Sequence, residues 1–225
     1  QGAIFFENIV NENTTSSRQL IIHEIMGRNC GWLTAATAQE YRIRLKNREF
    51  LPSFLIDKDR WDVDAIYIPE IKMDIKVESQ RLKKIMDAKD SVNIFLSEGA
   101  GVESIVDELE SRGEEVLRDA FGHVRLDEIN PGQWFAKQFS KAIISDKVLI
   151  QKSGYFARSA KSNTKDLELI FQSADMAVSC ALKGQSGVIG LNENNNQLEC
   201  IDFTRIKGGK PFDPNSAWFQ SILTE

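Results

Sequence analysis

The sequence is poor in the residues that build metal centres. It holds two histidines, His23 and His123, and three cysteines, Cys30, Cys180 and Cys200. No Cys/His cluster has ligand spacing, so no metal ligands are predicted within the chain. The cysteines are odd in number, far apart and set among apolar residues. That pattern predicts buried, reduced thiols rather than a disulfide framework. Nothing signals a Ser-His-Asp or Cys-His nucleophile. No apolar run reaches membrane-spanning length and no signal peptide opens the chain, so a cytoplasmic protein with no membrane partner is expected. There is no basic tract: 28 Lys and Arg are interspersed with 33 Asp and Glu, for a net charge of −5. With aromatics at 9%, base-stacking platforms are also missing, so no nucleic-acid partner is expected.

What remains describes a globular chain. At 225 residues, 42% apolar and 27% charged, it can form one large or two small domains with a proper core. Strand and helix patterns alternate. Strands are predicted over 19–25, 65–68, 92–96 and 147–151. Helices are predicted over 31–46, 76–90, 102–112, 131–144 and 164–183. The apolar strands lack clean alternation, which implies a mostly parallel sheet covered by helices on both faces: an α/β fold. Residues 188–191 and 197–206, joined by the turn 192–196, read as a terminal β-hairpin. A short helix around 216–223 finishes the chain. No internal repeat and no linker that would split the chain is visible.

Local signals refine this outline. Residues 1–17 run from Ile4-Phe5-Phe6 into a polar stretch expected to be a surface loop. Arg42, Arg44 and Lys46 are expected to face water. Residues 47–63 break at Pro52 and carry Phe50, Phe54 and Trp61, a partly packed excursion. Asn130 and Pro131 suit the first positions of a helix, and Gly113 and Gly184 suit helix ends. Helix 76–90 should bury Val77, Leu82, Ile85 and Met86. Helix 164–183 should bury Leu167, Ile170, Phe171, Ala174, Ala177, Val178 and Ala181. The segment 114–130 is irregular, with a short exposed strand suggested at 123–126.

The chain is organised around His23–Ala38, HEIMGRNCGWLTAATA. A buried strand stops at Met26-Gly27-Arg28, and a helix starts after Gly31 with Trp32, Leu33, Ala35, Ala36 and Ala38 on its packed side. A helix start presents unpaired N–H groups and a positive dipole end, so it suits an anion. Arg28 adds a planar donor fork for phosphate. Two other strands also end in glycine turns with polar groups: Ser97-Glu98-Gly99 and Gly154-Tyr155-Phe156-Ala157-Arg158. Parallel strands present their carboxyl ends on one edge, where ligands bind. Arg28, Glu98, Tyr155 and Arg158 are therefore expected around one cavity, with arginines for phosphate and a carboxylate for hydroxyls. Two near-matches lead elsewhere. Gly99-Ala100-Gly101 begins a dinucleotide fingerprint, but Ser104 stands at its third glycine position. Lys207-Gly208-Gly209-Lys210 lacks the P-loop spacing and is read as a loop.

MGRNCGWLTAATA, continuing through Tyr41-Arg42, resembles the MGR segment of the phosphofructokinase family, most closely its pyrophosphate-dependent branch. FLSEGAG, SGYFARS, FGHVRLDEINPGQWFAKQF and RIKGGKPFD are similar to that branch too, so the likeness covers almost the whole chain. It implies a phosphofructokinase-like fold and a fructose 6-phosphate site made of Met26, Gly27, Arg28, Glu98, Tyr155, Phe156, Ala157 and Arg158. It implies that Arg28 lies near the phosphoryl group being transferred and stabilises its charge. Arg18, after the Thr/Ser-rich segment, is the nearest match to an arginine that reaches a neighbouring subunit's site. Glu70, in Ile68-Pro69-Glu70, matches an effector-site glutamate of ATP-dependent members and is assigned a structural role here.

The family's glycine-rich donor motif and its Thr-x-Asp-x-Asp segment, which supplies the general base and the aspartate for Mg2+, do not occur in the sequence. With Gln1 in first place, the resemblance implies that residues 1–225 are the C-terminal, sugar-phosphate-binding portion of a longer enzyme and do not transfer phosphoryl by themselves. It further implies fructose 6-phosphate and diphosphate as substrates, and a homodimer or homotetramer for the whole enzyme. Two alternatives stay open: ATP as the donor, or a non-catalytic regulatory subunit that only binds sugar phosphate.

Overall fold

Gln19–Ile25 (β1) is buried at every position, and it is the strand on which the others are built. In the computed structural model it lies inside a four-stranded parallel sheet with Ala65–Tyr67 (β2), Ser91–Ser97 (β3) and Lys147–Lys152 (β4), in the order β2-β3-β1-β4. The structure describes residues 1–51, 53, 57–192, 194–206, 208 and 212–224. Ile22 of β1 pairs with Ile94 on one side and Ile150 on the other. With neighbours on both edges and helices on both faces, β1 has no solvent side, which is why its sequence does not alternate.

Each face has its own core. On one, Ile21, Ile25 and Phe95 meet Phe6 of Gly2–Ile9 (α1) and Ala35, Ala38 and Tyr41 of Trp32–Lys46 (α2). On the other, Leu20, Ile22 and Ile94 meet Leu82 and Met86 of Ile75–Lys89 (α3) and, after Val102–Ser111 (α4) and Leu126–Ile129 (α5), Phe135 and Phe139 of Pro131–Ile143 (α6). Gly154–Arg158 (α7) follows β4, and Ala217–Thr224 (α9) is the last helix.

The predicted strands, long helices and hairpin all form. The chain divides into two compact units, however: residues 1–158 with 211–225, and residues 159–210. The expectation of an undivided chain is thus corrected. The second unit holds Thr164–Leu182 (α8) and the antiparallel pair Val188–Leu191 (β5) and Leu198–Ile201 (β6). No residue of α8 is buried, and Phe171 is 66% exposed. A single helix on a two-stranded hairpin has too little partner surface to cover the apolar stripe that the periodicity marks. The expected burial of Leu167, Ile170, Phe171, Ala174, Ala177, Val178 and Ala181 is therefore not observed.

Other differences have local causes. Residues 10–14 of the expected surface loop form a 3-10 turn with Asn13 fully buried. The Asn13 amide donates to the Arg60 carbonyl and to Asn93 Oδ1 at 2.8 and 3.1 Å, so its polarity is satisfied inside. Arg42 does not face water: it donates to Asp62 and to the carbonyls of Val63 and Ile222. Trp32, Leu33 and Val77 are exposed. Trp61 is buried and Phe50 half-buried, whereas Pro52 and Phe54 lie outside the described residues, as do Lys207, Gly209 and Lys210. Residues 123–126 make only an isolated bridge, Arg118 with Val124. The three thiols are half-buried rather than buried.

His23 sits at the centre of the first core. Its ring lies between Phe5 and Phe6, with centroids 5.4 and 5.5 Å away, and Phe95 meets it edge-on at 5.0 Å. Neither ring nitrogen has a hydrogen-bond partner among the described residues. Burial lowers its pKa from the ordinary 6.5 to about 3, because a charged imidazole there would lose its hydration with nothing in return. Below pH 6.5 the unfolded chain takes up a proton that the folded chain refuses until about pH 3. Stability should therefore fall with pH across that window, by at most ~1.4 kcal/mol per unit. Urea titrations should show this slope in the native protein and lose it in His23→Leu; equal slopes in the two would contradict the neutral core histidine.

Candidate functional site

The carboxyl ends of β3, β1 and β4 carry the three glycine turns side by side. Neighbouring strands lie about 4.8 Å apart, so the outer two turns are roughly 10 Å from each other. The middle turn is locked to both. On the β3 side, Ser97 Oγ donates to the Gly27 carbonyl at 2.6 Å, the Gly27 N–H donates to Glu98 Oε1 at 3.2 Å, and the Glu98 N–H donates to the Ile25 carbonyl at 2.9 Å. On the β4 side, Met26 packs directly over Gly154, where an added Cβ would stand 3.0 Å from its Cε. The Ser153 N–H donates to the Glu24 carbonyl at 3.2 Å.

Glycine is required at two of these places. At Gly27, with φ of +155°, a Cβ would fall 2.6 Å from both the Cys30 carbonyl oxygen and Ser97 Oγ. At Gly99 a Cβ would fall 1.8 Å from the Arg28 carbonyl oxygen. The backbone of the β3 turn thus rests on the backbone of Arg28 and fixes where that residue's side chain begins.

Arg28 projects from this stack into a cavity of about 680 Å3, bounded by Gly99, Gly101, Glu70, Lys72, Trp134 and the loop before α5. Its Nη1 lies 3.5 Å from Asp119 Oδ2. His123 Nδ1 lies 3.3 Å from the same oxygen. Burial works against the charge on Asp119, but hydrogen bonds from the backbone N–H groups of His123 and Phe121 and from the His123 ring outweigh it. They hold the carboxyl below the usual carboxylate range.

The expected residues are brought to one edge but not into one enclosed cavity. The cavity that takes Arg28 is not lined by Glu98, Tyr155 or Arg158. Glu98 stands half-buried beside Gly27. Tyr155 and Arg158 lie on α7, past β4, with Tyr155 80% exposed. Phe156 packs against Phe5, their rings 5.3 Å apart, and Ala157 is half-buried with its N–H on the Ser153 carbonyl. Arg18 is at the opposite edge of the sheet, just before β1. It donates to the carbonyls of Ile143 and Ile144 and to Asp87. These bonds hold its guanidinium against its own chain.

An acidic side chain already stands at the start of α2. Both carboxylate oxygens of Glu70 accept from the Gly31 N–H, at 3.0 and 3.1 Å, and Oε1 also accepts from the Phe212 N–H at 3.2 Å. Glu70 is the anion at that helix end. Likewise Asn130 makes no side-chain cap on α6. The first N–H groups of α6 include Gly132, which donates to buried Glu24, itself 3.0 Å from Lys152 Nζ. Asp119, Glu24 and Lys152 escaped the sequence reading; the one available signal was that Asp119 and His123 are four apart in a turn rich in charge.

An α/β protein with polar turns and an arginine at the carboxyl edge of a parallel sheet is built to hold an anionic ligand. The family model for phosphofructokinase matches residues 6–180, and the chain belongs to that family. It is 54% identical over 226 residues to the pyrophosphate–fructose 6-phosphate 1-phosphotransferase of Methylomonas methanica, covering 100% of this chain and 55% of that protein. It is 50% identical over 226 residues to the protein of the same name from Mastigamoeba balamuthi, again covering 100% of this chain and 55% of the relative. The chain thus spans about half the length of the relatives it matches. Among solved structures, the pyrophosphate-dependent phosphofructokinase of Marinobacter aquaeolei aligns with a TM-score of 0.50 at 18% identity, over 98% of this chain and 52% of that one. This likeness supports the fold alone.

Gly99→Ala should force the β3 turn off the Arg28 carbonyl, costing roughly 1–3 kcal/mol as an overpacked site does. Chemical denaturation of the variant measures it; an unchanged midpoint would show that the contact can relax freely.

Proposed function

We propose that residues 1–225 form the sugar-phosphate-binding portion of a diphosphate-dependent 6-phosphofructokinase. The whole enzyme transfers phosphoryl between diphosphate and the 1-hydroxyl of fructose 6-phosphate, in glycolysis or gluconeogenesis. One observation carries the reading: Arg28 is locked at the carboxyl edge of the sheet, beside Glu98, in a chain about half identical throughout to relatives named for this reaction. The relatives' names favour diphosphate over ATP as the donor.

In this reading Arg28 neutralises charge on the transferring phosphoryl group, a task that rests on positioning and electrostatics. Glu98 accepts from the sugar hydroxyls. Arg158, with Tyr155, takes the 6-phosphate, while Met26, Gly27, Phe156 and Ala157 shape the floor between them. The general base and the ligands of Mg2+ belong to family segments with no counterpart in these 225 residues. No group of three or more His, Cys, Asp or Glu among the described residues is arranged to hold a metal. The proposal includes a cytoplasmic, homodimeric or homotetrameric enzyme. No described helix is long and apolar enough to cross a membrane.

Two substitutions in the full-length enzyme separate the roles. Arg158→Ala should weaken fructose 6-phosphate binding by roughly 1.5–3 kcal/mol, the range for a charge-assisted hydrogen bond; an unchanged KM removes Arg158 from the site. Arg28→Ala should lower kcat more than it raises KM, since its contact strengthens in the transition state. A pure loss of affinity would reassign it to ground-state binding.

A further inference from the structure

Asp119 and His123 have no part in the proposed reaction, yet His123 lines the same cavity as Arg28 and Asp119 lies against the Arg28 guanidinium. The turn that carries them is rigidly self-bonded. The Asp119 N–H donates to the His123 carbonyl at 2.8 Å and the Gly122 N–H donates to the Asp119 carbonyl at 3.0 Å. Asp119 Oδ1 accepts from the N–H groups of Phe121 and His123 at 2.9 and 3.0 Å. The bridge between Arg118 and Val124 and the Arg125 N–H on the Leu117 carbonyl close the turn behind them. One carboxylate oxygen is therefore consumed in fixing the carboxylate itself. The other, Oδ2, is left to face Arg28 Nη1 and His123 Nδ1.

We infer that Asp119 is a positioning residue for Arg28: a carboxylate immobilised by its own loop that holds the guanidinium by one edge. A guanidinium has five N–H donors. Among the described residues Asp119 is the one acceptor within hydrogen-bond reach of it, so the rest of the fork stays available to an anion entering the cavity. Ordering a long, flexible side chain costs entropy, and an anchor that orders it beforehand lowers the barrier of the step that uses it. The anchor is a single contact through Nη1, long at 3.5 Å, which leaves Nε and Nη2 unoccupied by Asp119. The inference rests on the proposal that Arg28 stabilises the transferring phosphoryl group; without that, Asp119 is only a loop tether.

A double-mutant cycle tests this in the full-length enzyme with diphosphate and fructose 6-phosphate. Asp119→Asn should lower kcat about tenfold while KM for fructose 6-phosphate changes less than about twofold, and Asp119→Glu should recover much of the loss. In an Arg28→Ala background the same Asp119→Asn change should alter kcat by less than about twofold, because its route of action is gone. An equal loss in both backgrounds, or a loss confined to KM, overturns the inference. A second measurement does not need turnover. Nitrogen relaxation of the Arg28 Nε–H in the full-length enzyme without substrates should report an ordered side chain that becomes mobile in Asp119→Asn. Unchanged order refutes the anchor by itself. An inactive wild-type enzyme would instead refute the proposed reaction and leave the relaxation result to decide on Asp119.

Discussion

The contact on which the rest of the site depends is the one between two backbones. Gly99 lies against the carbonyl of Arg28 so closely that no other residue fits. This contact exists because β3 and β1 run parallel in register, with Ile25 opposite Ser97, so their turns leave the sheet at the same height. Parallel pairing sets the height, the absent side chain sets the spacing, and the Ser97 hydroxyl on the Gly27 carbonyl holds the two together. Arg28 inherits its position from these three facts. A long cationic side chain on a free loop would spend its binding energy on being ordered; here the root of the side chain is fixed by the sheet and its tip by Asp119.

The two sides of β1 serve different ends. Toward β3 the contacts are polar and directional, made of backbone N–H groups, a hydroxyl and a carboxylate. Toward β4 the Ser153 N–H on the Glu24 carbonyl is joined by adaptable apolar packing, Met26 over Gly154. Methionine tolerates displacement because its chain is unbranched and its sulfur polarisable. The β3 side is thus the stiff wall of the edge, and α7, with Tyr155 and Arg158 exposed, is the side with room to adjust around a ligand.

Much of this was legible in the chain. The four strands of the sheet, the helices between them and the three turns follow from apolar runs punctuated by glycine, since those patterns encode secondary structure and backbone freedom directly. The likeness carried by Met26–Ala38 named the family. What stayed hidden depends on partners distant in sequence. Asn13 and Arg42 look like surface residues until Asn93 and Asp62 are placed beside them. The apolar stripe of α8 looks like a core until the small unit around it is seen to lack a second layer. Asp119 lies in a segment without periodicity, and its relation to Arg28 spans 91 residues. Periodicity reports which face is apolar; it does not report what covers that face, nor which charge sits opposite another.

Glu70 ties together two regions that the chain visits far apart. One carboxylate accepts from the N–H of Gly31, just before α2, and from the N–H of Phe212, whose ring is buried with Phe219 in the first core. The returning C-terminal segment and the loop behind Arg28 therefore share a single acceptor. Neither can peel away without leaving the other to rebalance its hydrogen bonding, so these two stretches should open and close as one cooperative unit.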